Sequence, residues 1–129
     1  MLLLFLHIHK TGGTSFSHAL RWGSGFAKRH WVDPVDAEAS SFTELPEHER
    51  AKIGVLQGHF VYGVHKHYPG PSTYVTMMRD PVTRIISSYY YTIKTFPETT
   101  LTEIGLEAFA EAILRAGLRL VPRRLSILN

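Results

Sequence analysis

Apolar residues fall into two kinds of run along this chain. Leu2 to Ile8 is apolar throughout except for His7, the pattern of a strand buried on both faces in a parallel sheet. Val55 to Tyr62 and Thr73 to Met78 read as further strands, with Gly58 at a strand end or bulge and the "YPGPS" stretch from Tyr68 to Ser72 as the turn between them. The second kind of run has helical spacing. Phe16, Ala19, Leu20 and Trp22 predict a helix that Thr14 or Ser15 can cap and that Gly23 to Gly25 stops. Val82, Ile85, Ile86, Tyr89 and Tyr90 predict another, started by Asp80 as N-cap and Pro81 at the first helical position. Leu106, Phe109, Ala110, Ile113 and Leu114 predict a third, with capping-box spacing at Thr100 and Glu103 and Gly117 as its close. Pro46 to Ile53 reads as a short charged helix. Ala27 to Phe42 reads mostly as loop, with one short strand at His30 to Val32 and a break at Pro34.

Strands alternating with helices predict an α/β fold, a short parallel sheet flanked by helices. The 129 residues suit a single domain, and 44% hydrophobic against 19% charged residues is a globular composition. Lys plus Arg exceed Asp plus Glu by 14 to 11, enough to favour a small anionic ligand but short of the basic field that nucleic-acid binding uses. With no cysteine there is no disulfide framework, thiolate metal site or thiol nucleophile, so the eight histidines are the main groups titrating near neutrality. Met1 to Leu6 lacks a basic flank and a small-residue cleavage site, and no run reaches the length of a membrane span, so a soluble cytoplasmic protein is expected.

The chemistry starts where the first strand ends. "HKTGGTS", His9 to Ser15, places a lysine, two glycines and three hydroxyl residues between a buried strand and a helix. Backbone N–H groups there face the positive end of the helix dipole, glycines let the backbone close round an anion, and Lys10 adds a point charge. An isolated Gly-Gly is more often an ordinary turn. The usual nucleoside-triphosphate loop has its lysine after the glycines, whereas here it comes first, which disfavours Mg-ATP even though Asp80 lies where such enzymes keep a magnesium ligand. The N-cap role suits Asp80 better, given Pro81 beside it.

"HKTGGTS" followed later by "RDPVTRIISSYY" resembles the two nucleotide-binding motifs of sulfotransferases that use 3′-phosphoadenosine 5′-phosphosulfate (PAPS). The similarity is greatest to the carbohydrate branch that includes heparan sulfate 2-O-sulfotransferases and similar bacterial proteins, and it spans Leu4 to about Tyr91. It implies a P-loop-like three-layer fold and one nucleotide-binding domain over residues 1–129. Members of the family are usually longer, so the chain reads as a minimal member or an N-terminal portion without part of the acceptor region. By position, Lys10, Thr11, Gly12, Gly13, Thr14 and Ser15 would hold the 5′-phosphosulfate, and Arg79 and Ser87 the 3′-phosphate. His59, the histidine after Gly58 in the strand before the second motif, would be the catalytic base, and Lys10 would neutralise the leaving oxygen. The acceptor implied is a carbohydrate hydroxyl, with no metal.

Each residue also has a plainer role. Arg79 can serve in a surface ion pair with Asp80 or Glu44, Ser87 as a small packing residue and His59 as a structural histidine with one hydrogen bond. Arg84 suits bracing of the loop, and His65 and His67 read as a solvated basic cluster. His7 and His9 share a strand face, but no third ligand accompanies them for a metal. At least one of Tyr89, Tyr90 and Tyr91 is expected in the core. Two rivals stay open: a P-loop kinase or nucleotidase using Mg-ATP, and a nucleotide-binding fragment without transferase activity.

Overall fold

A computed structural model of the chain describes residues 1–23, 25, 27–97 and 103–120, with side chains as far as 116. The chain divides into two compact units, Met1–Arg79 and Asp80–Asn129. The first contains β1 (Leu2–Leu6), α1 (Gly13–Gly23), β2 (Lys28–Val32), the short helices α2 (Ser40–Thr43) and α3 (Glu47–Arg50), β3 (Ile53–Gly58), a 3-10 turn (Val64–His67) and β4 (Ser72–Thr76). The second contains α4 (Pro81–Thr95) and α5 (Leu106–Leu120). The architecture is the expected α/β one: four parallel strands in the order β2-β3-β1-β4, flanked by helices.

β1 is one of the two middle strands, and its side chains alternate between two apolar environments, as a doubly covered parallel strand requires. Leu2 and Leu4 join Leu56, Val32, Phe42, Phe60 and Val64 in a core on one face of the sheet. On the other face Phe5 is fully buried, and the Phe16 ring of α1 meets it edge-on at 4.7 Å. Leu4 pairs with Leu56 on one side and Tyr74 on the other, so adjacent strands present matching faces.

Several elements differ from the sequence pattern, each for a local reason. β1 stops at Leu6, not Ile8, because the chain turns there into the loop. α1 starts at Gly13, which puts Thr14 and Ser15 in its first turn instead of at its cap, and it stops at Gly23 as expected. β2 is a full strand from Lys28, not the fragment at His30 to Val32. Within the stretch expected to be loop, Asp36 organises α2: its carboxylate accepts from the amides of Ser40 at 2.7 Å and Ser41 at 2.9 Å, and Ala39 turns into the left-handed region at φ 56°. Hydrogen bonding to Ser41 and Ser40 holds the Asp36 carboxyl below its usual range. This fastening lets Phe42 bury completely.

In the second unit the Asp80 side chain accepts from the Thr83 amide at 2.9 Å with Pro81 next to it, the N-cap that the sequence predicts. Tyr89 is the tyrosine of its run that packs inward, its ring 5.4 Å from the buried Phe109 of α5. α5 runs on past Gly117 to Leu120. The Thr100 half of the expected capping box lies outside the described residues.

Gly58 ends β3 with φ 148°, and a Cβ there would strike the Val32 carbonyl oxygen of β2. Gly58→Ala is therefore expected to lower stability by about 2 kcal/mol or more, combining backbone strain with the clash, read as a fall in thermal midpoint. Asp80→Ala should cost about 1 kcal/mol, with Asp80→Asn near neutral because asparagine caps as well.

Candidate functional site

The two middle strands send the chain to opposite faces of the sheet. From β1 it passes to α1, whose Phe16 packs on Phe5; from β3 it passes to Phe60 and Val64, which belong to the core on the other face. The carboxyl ends of β1 and β3 thus form a topological switch point, the place where open α/β sheets receive ligands. Two hydrogen bonds tie these ends together beyond the last strand pair. The His7 amide donates to the Gly58 carbonyl at 2.8 Å, and His59 Nδ1 lies 2.6 Å from the His7 carbonyl oxygen. A third bond, from the Thr76 hydroxyl to the Leu6 carbonyl at 2.8 Å, fixes β4 to the same end.

From that anchored edge the loop turns sharply. Lys10 has φ 62° and Gly12 has φ 88°, and the Thr11 hydroxyl between them donates to the Ile8 carbonyl at 2.8 Å. A lysine in the left-handed region costs about 1–2 kcal/mol and persists only where its surroundings fix it. Thr11 is buried, so its hydroxyl serves the loop itself. Alternation of left- and right-handed residues at a helix start gathers successive N–H groups into an anion-binding concavity. Gly13 opens α1, and a Cβ there would collide with the His7 imidazole, so a neighbouring side chain keeps this position a glycine.

Three imidazoles stack over this edge. The His59 ring lies between the other two, 3.7 Å from His9 at an interplanar angle of 5° and 4.4 Å from His7 at 25°. Because a carbonyl can only accept, the Nδ1 of His59 carries the proton, and the neutral ring therefore keeps its lone pair on Nε2. Stacked rings do not converge their nitrogens on one point, and among the described residues no group of three His, Cys, Asp or Glu is placed to hold a metal ion. Burial, reinforced by the neighbouring His59 and His9, pushes the His7 pKa down from its usual value near 6.5.

The remaining predicted site residues lie farther along the chain. Arg79 is exposed, three residues beyond β4 at the end of the first unit. Ser87 is half-buried on α4 of the second unit. Thr14 and Ser15 are exposed on the first turn of α1. The Asp80 carboxylate is engaged at its helix cap, as described above, which leaves the N-cap role as the one the geometry supports.

The family model of the sulfotransferase family matches residues 2–117. The chain belongs to that family. A protein-tyrosine sulfotransferase of Arabidopsis thaliana is 30% identical over 97 residues, covering 72% of this chain and 18% of that protein. The chain thus aligns with less than a fifth of this curated relative's length. No solved structure matches it.

In this sulfotransferase-family chain the sequence pattern left a further group of residues unread. A cavity of about 330 Å³ opens beside the stacked histidines, on the face of the sheet that carries α1. Ser17, His18 and Arg21 line it from α1, and Arg29, Trp31 and Gln57 from β2 and β3. The sequence signal was present in the spacing: Arg29 and Trp31 are two apart on one strand face, and His18 and Arg21 are three apart on one helix face. It was masked because β2 carries too few apolar residues to show as a buried strand. Among the described residues, no helix is long and apolar enough to cross a membrane.

The lowered His7 pKa fixes the sign of a pH effect. Between the value of the unfolded chain, near 6.5, and the lower folded value, the unfolded state binds more protons, so stability falls as pH drops through that window. Thermal midpoints at pH 7.5 and 5.5 should therefore differ more in the wild type than in His7→Gln, which removes the titrating ring.

Proposed function

We propose that this chain transfers a sulfuryl group from PAPS to a hydroxyl of a carbohydrate acceptor, in the manner of the heparan sulfate 2-O-sulfotransferase branch, its 129 residues acting as one nucleotide-binding domain. The observation that carries the proposal is the bond between His59 Nδ1 and the His7 carbonyl at 2.6 Å, beside the turn at Lys10 and Gly12. It joins a base with a defined lone pair to an anion-binding loop at a single sheet edge.

The fit of the donor rests on that loop. Left-handed Lys10 and Gly12 at the start of α1 make a concavity suited to a phosphate-like group, and the lysine adds charge at its rim. The backbone of Lys10 to Gly13, with the exposed hydroxyls of Thr14 and Ser15, would hold the 5′-phosphosulfate; Arg79 would grip the 3′-phosphate with its planar fork, and the motif assigns Ser87 to that same phosphate. Bound there, the donor supplies an activated sulfuryl group. His59 Nε2 takes the proton from the acceptor hydroxyl as its oxygen bonds to sulfur and the bond from sulfur to the phosphate oxygen breaks. Lys10 and the loop amides neutralise the charge left on that oxygen. The chain itself needs to form no covalent bond.

The comparisons support the family, and the stack and loop support the division of roles. The relative that acts on protein tyrosine makes a peptide acceptor the principal competing substrate class.

Titration calorimetry with adenosine 3′,5′-bisphosphate tests the donor site. The wild type should bind it in preference to Mg-ATP, and Arg79→Ala and Lys10→Ala should each weaken binding by about tenfold or more, the loss of a charge-assisted contact. A preference for Mg-ATP would replace this function with the kinase one. His59→Ala should retain bisphosphate binding while transfer falls by about 10²–10⁴-fold, the usual contribution of a general base. Unchanged turnover would remove His59 from the mechanism.

A further inference from the structure

The ring of His59 is held by more than its hydrogen bond. Nδ1 meets the His7 carbonyl oxygen at 2.6 Å, but one neutral bond favours the closed geometry by only about fivefold net, and it fixes a single atom of a ring that can still swing about it. Both flat faces of the ring are covered as well. The His7 ring lies on one face with centres 4.4 Å apart, and the His9 ring on the other at 3.7 Å and within 5° of parallel.

Inward, the stack reaches the core. The fully buried Phe5 ring lies 5.5 Å from that of His7 at an interplanar angle of 16°, and His7 packs so closely on Gly13 that a Cβ there would collide with it. Phe5, His7, His59 and His9 thus form a column of four rings that runs from the interior to the surface. Burial anchors the first ring, close packing the second and the Nδ1 bond the third. The fourth, His9, belongs to an exposed residue, and its backbone accounts for its place. The Thr11 hydroxyl pins the Ile8 carbonyl at 2.8 Å and Lys10 turns at φ 62°, so the chain reverses directly after His9.

We propose that His9 is a positioning residue for His59: its ring closes the outer face of the stack, which keeps the Nδ1 proton on the His7 carbonyl and the Nε2 lone pair in one place. The inference rests on the role of base proposed above for His59. An aromatic contact adds about two- to tenfold to an equilibrium beyond the area it buries. Two covered faces and the hydrogen bond together therefore hold one tautomer, where the bond by itself leaves a mixture. The chemistry asks for a flat π face and not for a charge at His9. When Nε2 takes a proton the ring becomes an imidazolium between two rings, and neutral aromatic faces attract a cation. Because His9 directly precedes Lys10, the turn that places the lysine also places the cover of the base.

The test reads the ring itself and needs no acceptor. The isotope-labelled full chain is studied by long-range nitrogen–proton NMR at about pH 8, above the ordinary histidine range, with the His59 signals identified by their loss in His59→Ala. The wild type should show His59 wholly as the Nδ1–H tautomer. In His9→Ala the Nε2–H form should rise to about a fifth or more, the mixture that one hydrogen bond allows. His9→Phe, which keeps a flat ring without ring nitrogens, should restore the single tautomer. A single tautomer persisting in His9→Ala would overturn the proposal, and so would a mixture in the wild type or in His9→Phe. Calorimetry with adenosine 3′,5′-bisphosphate separates this role from the donor site: both His9 variants should bind within about twofold of the wild type, as expected of an exposed side chain outside the donor contacts, and a larger loss would make His9 part of those contacts instead. If the tautomers behave as expected but the wild type binds no bisphosphate, His9 keeps its role and the donor assignment falls; if bisphosphate binds and the tautomer does not respond to His9→Ala, the donor site stands without this positioning residue.

Discussion

The candidate site depends on one constraint, the pairing of β1 with β3 carried one residue beyond each strand. Inside the sheet the register from Leu3–Val55 to Leu6–Gly58 is ordinary parallel pairing. At its edge the His7 amide continues the ladder to the Gly58 carbonyl, and the His7 carbonyl is returned to the His59 side chain. One residue thereby passes the order of the core to the chemistry. Each bond is worth only about 1 kcal/mol net, so the fold does not rest on them, but together they determine where the His59 ring stands and which of its nitrogens is open. The left-handed Lys10 and the buried Thr11 follow within a few residues, starting from a fixed point.

Glycine does three different jobs within this small region. Gly12 supplies a backbone turn at positive φ, Gly13 makes room for an imidazole, and Gly58 lets β3 approach the Val32 carbonyl of β2. Only the first is the flexible-loop role that "TGGT" suggests. The other two are matters of close approach, and Gly13 ties the glycine loop to the histidine stack: the ring that needs Gly13 to be small is the ring that stacks on His59. Loop and histidine stack are therefore packed together through the His7 ring.

The edge is also electrostatically divided. Burial, with the neighbouring His59 and His9, lowers the His7 pKa, whereas Arg21 and Arg29 bring permanent charge to the adjoining cavity. The plainer role considered for His59, a structural histidine with one hydrogen bond, is met, since that bond orients the ring.

Much of this was legible in one dimension. The apolar run of β1, the lysine-first glycine loop, the Asp80-Pro81 cap and the helical spacing after it are local signals, set by burial on two faces, by backbone freedom and by the pairing of cap residues with orphan amides. They determine an α/β chain with a glycine loop after its first strand. What the sequence could not decide is which residues distant in number meet. The strand order β2-β3-β1-β4 puts residue 59 beside residue 7 and gathers Arg21, Arg29 and Gln57 round one cavity, and α2 forms in a stretch without helical pattern because Asp36 fastens its amides. Such meetings depend on strand order and register, which follow from the packing of the whole core and leave no mark in the spacing of any one segment.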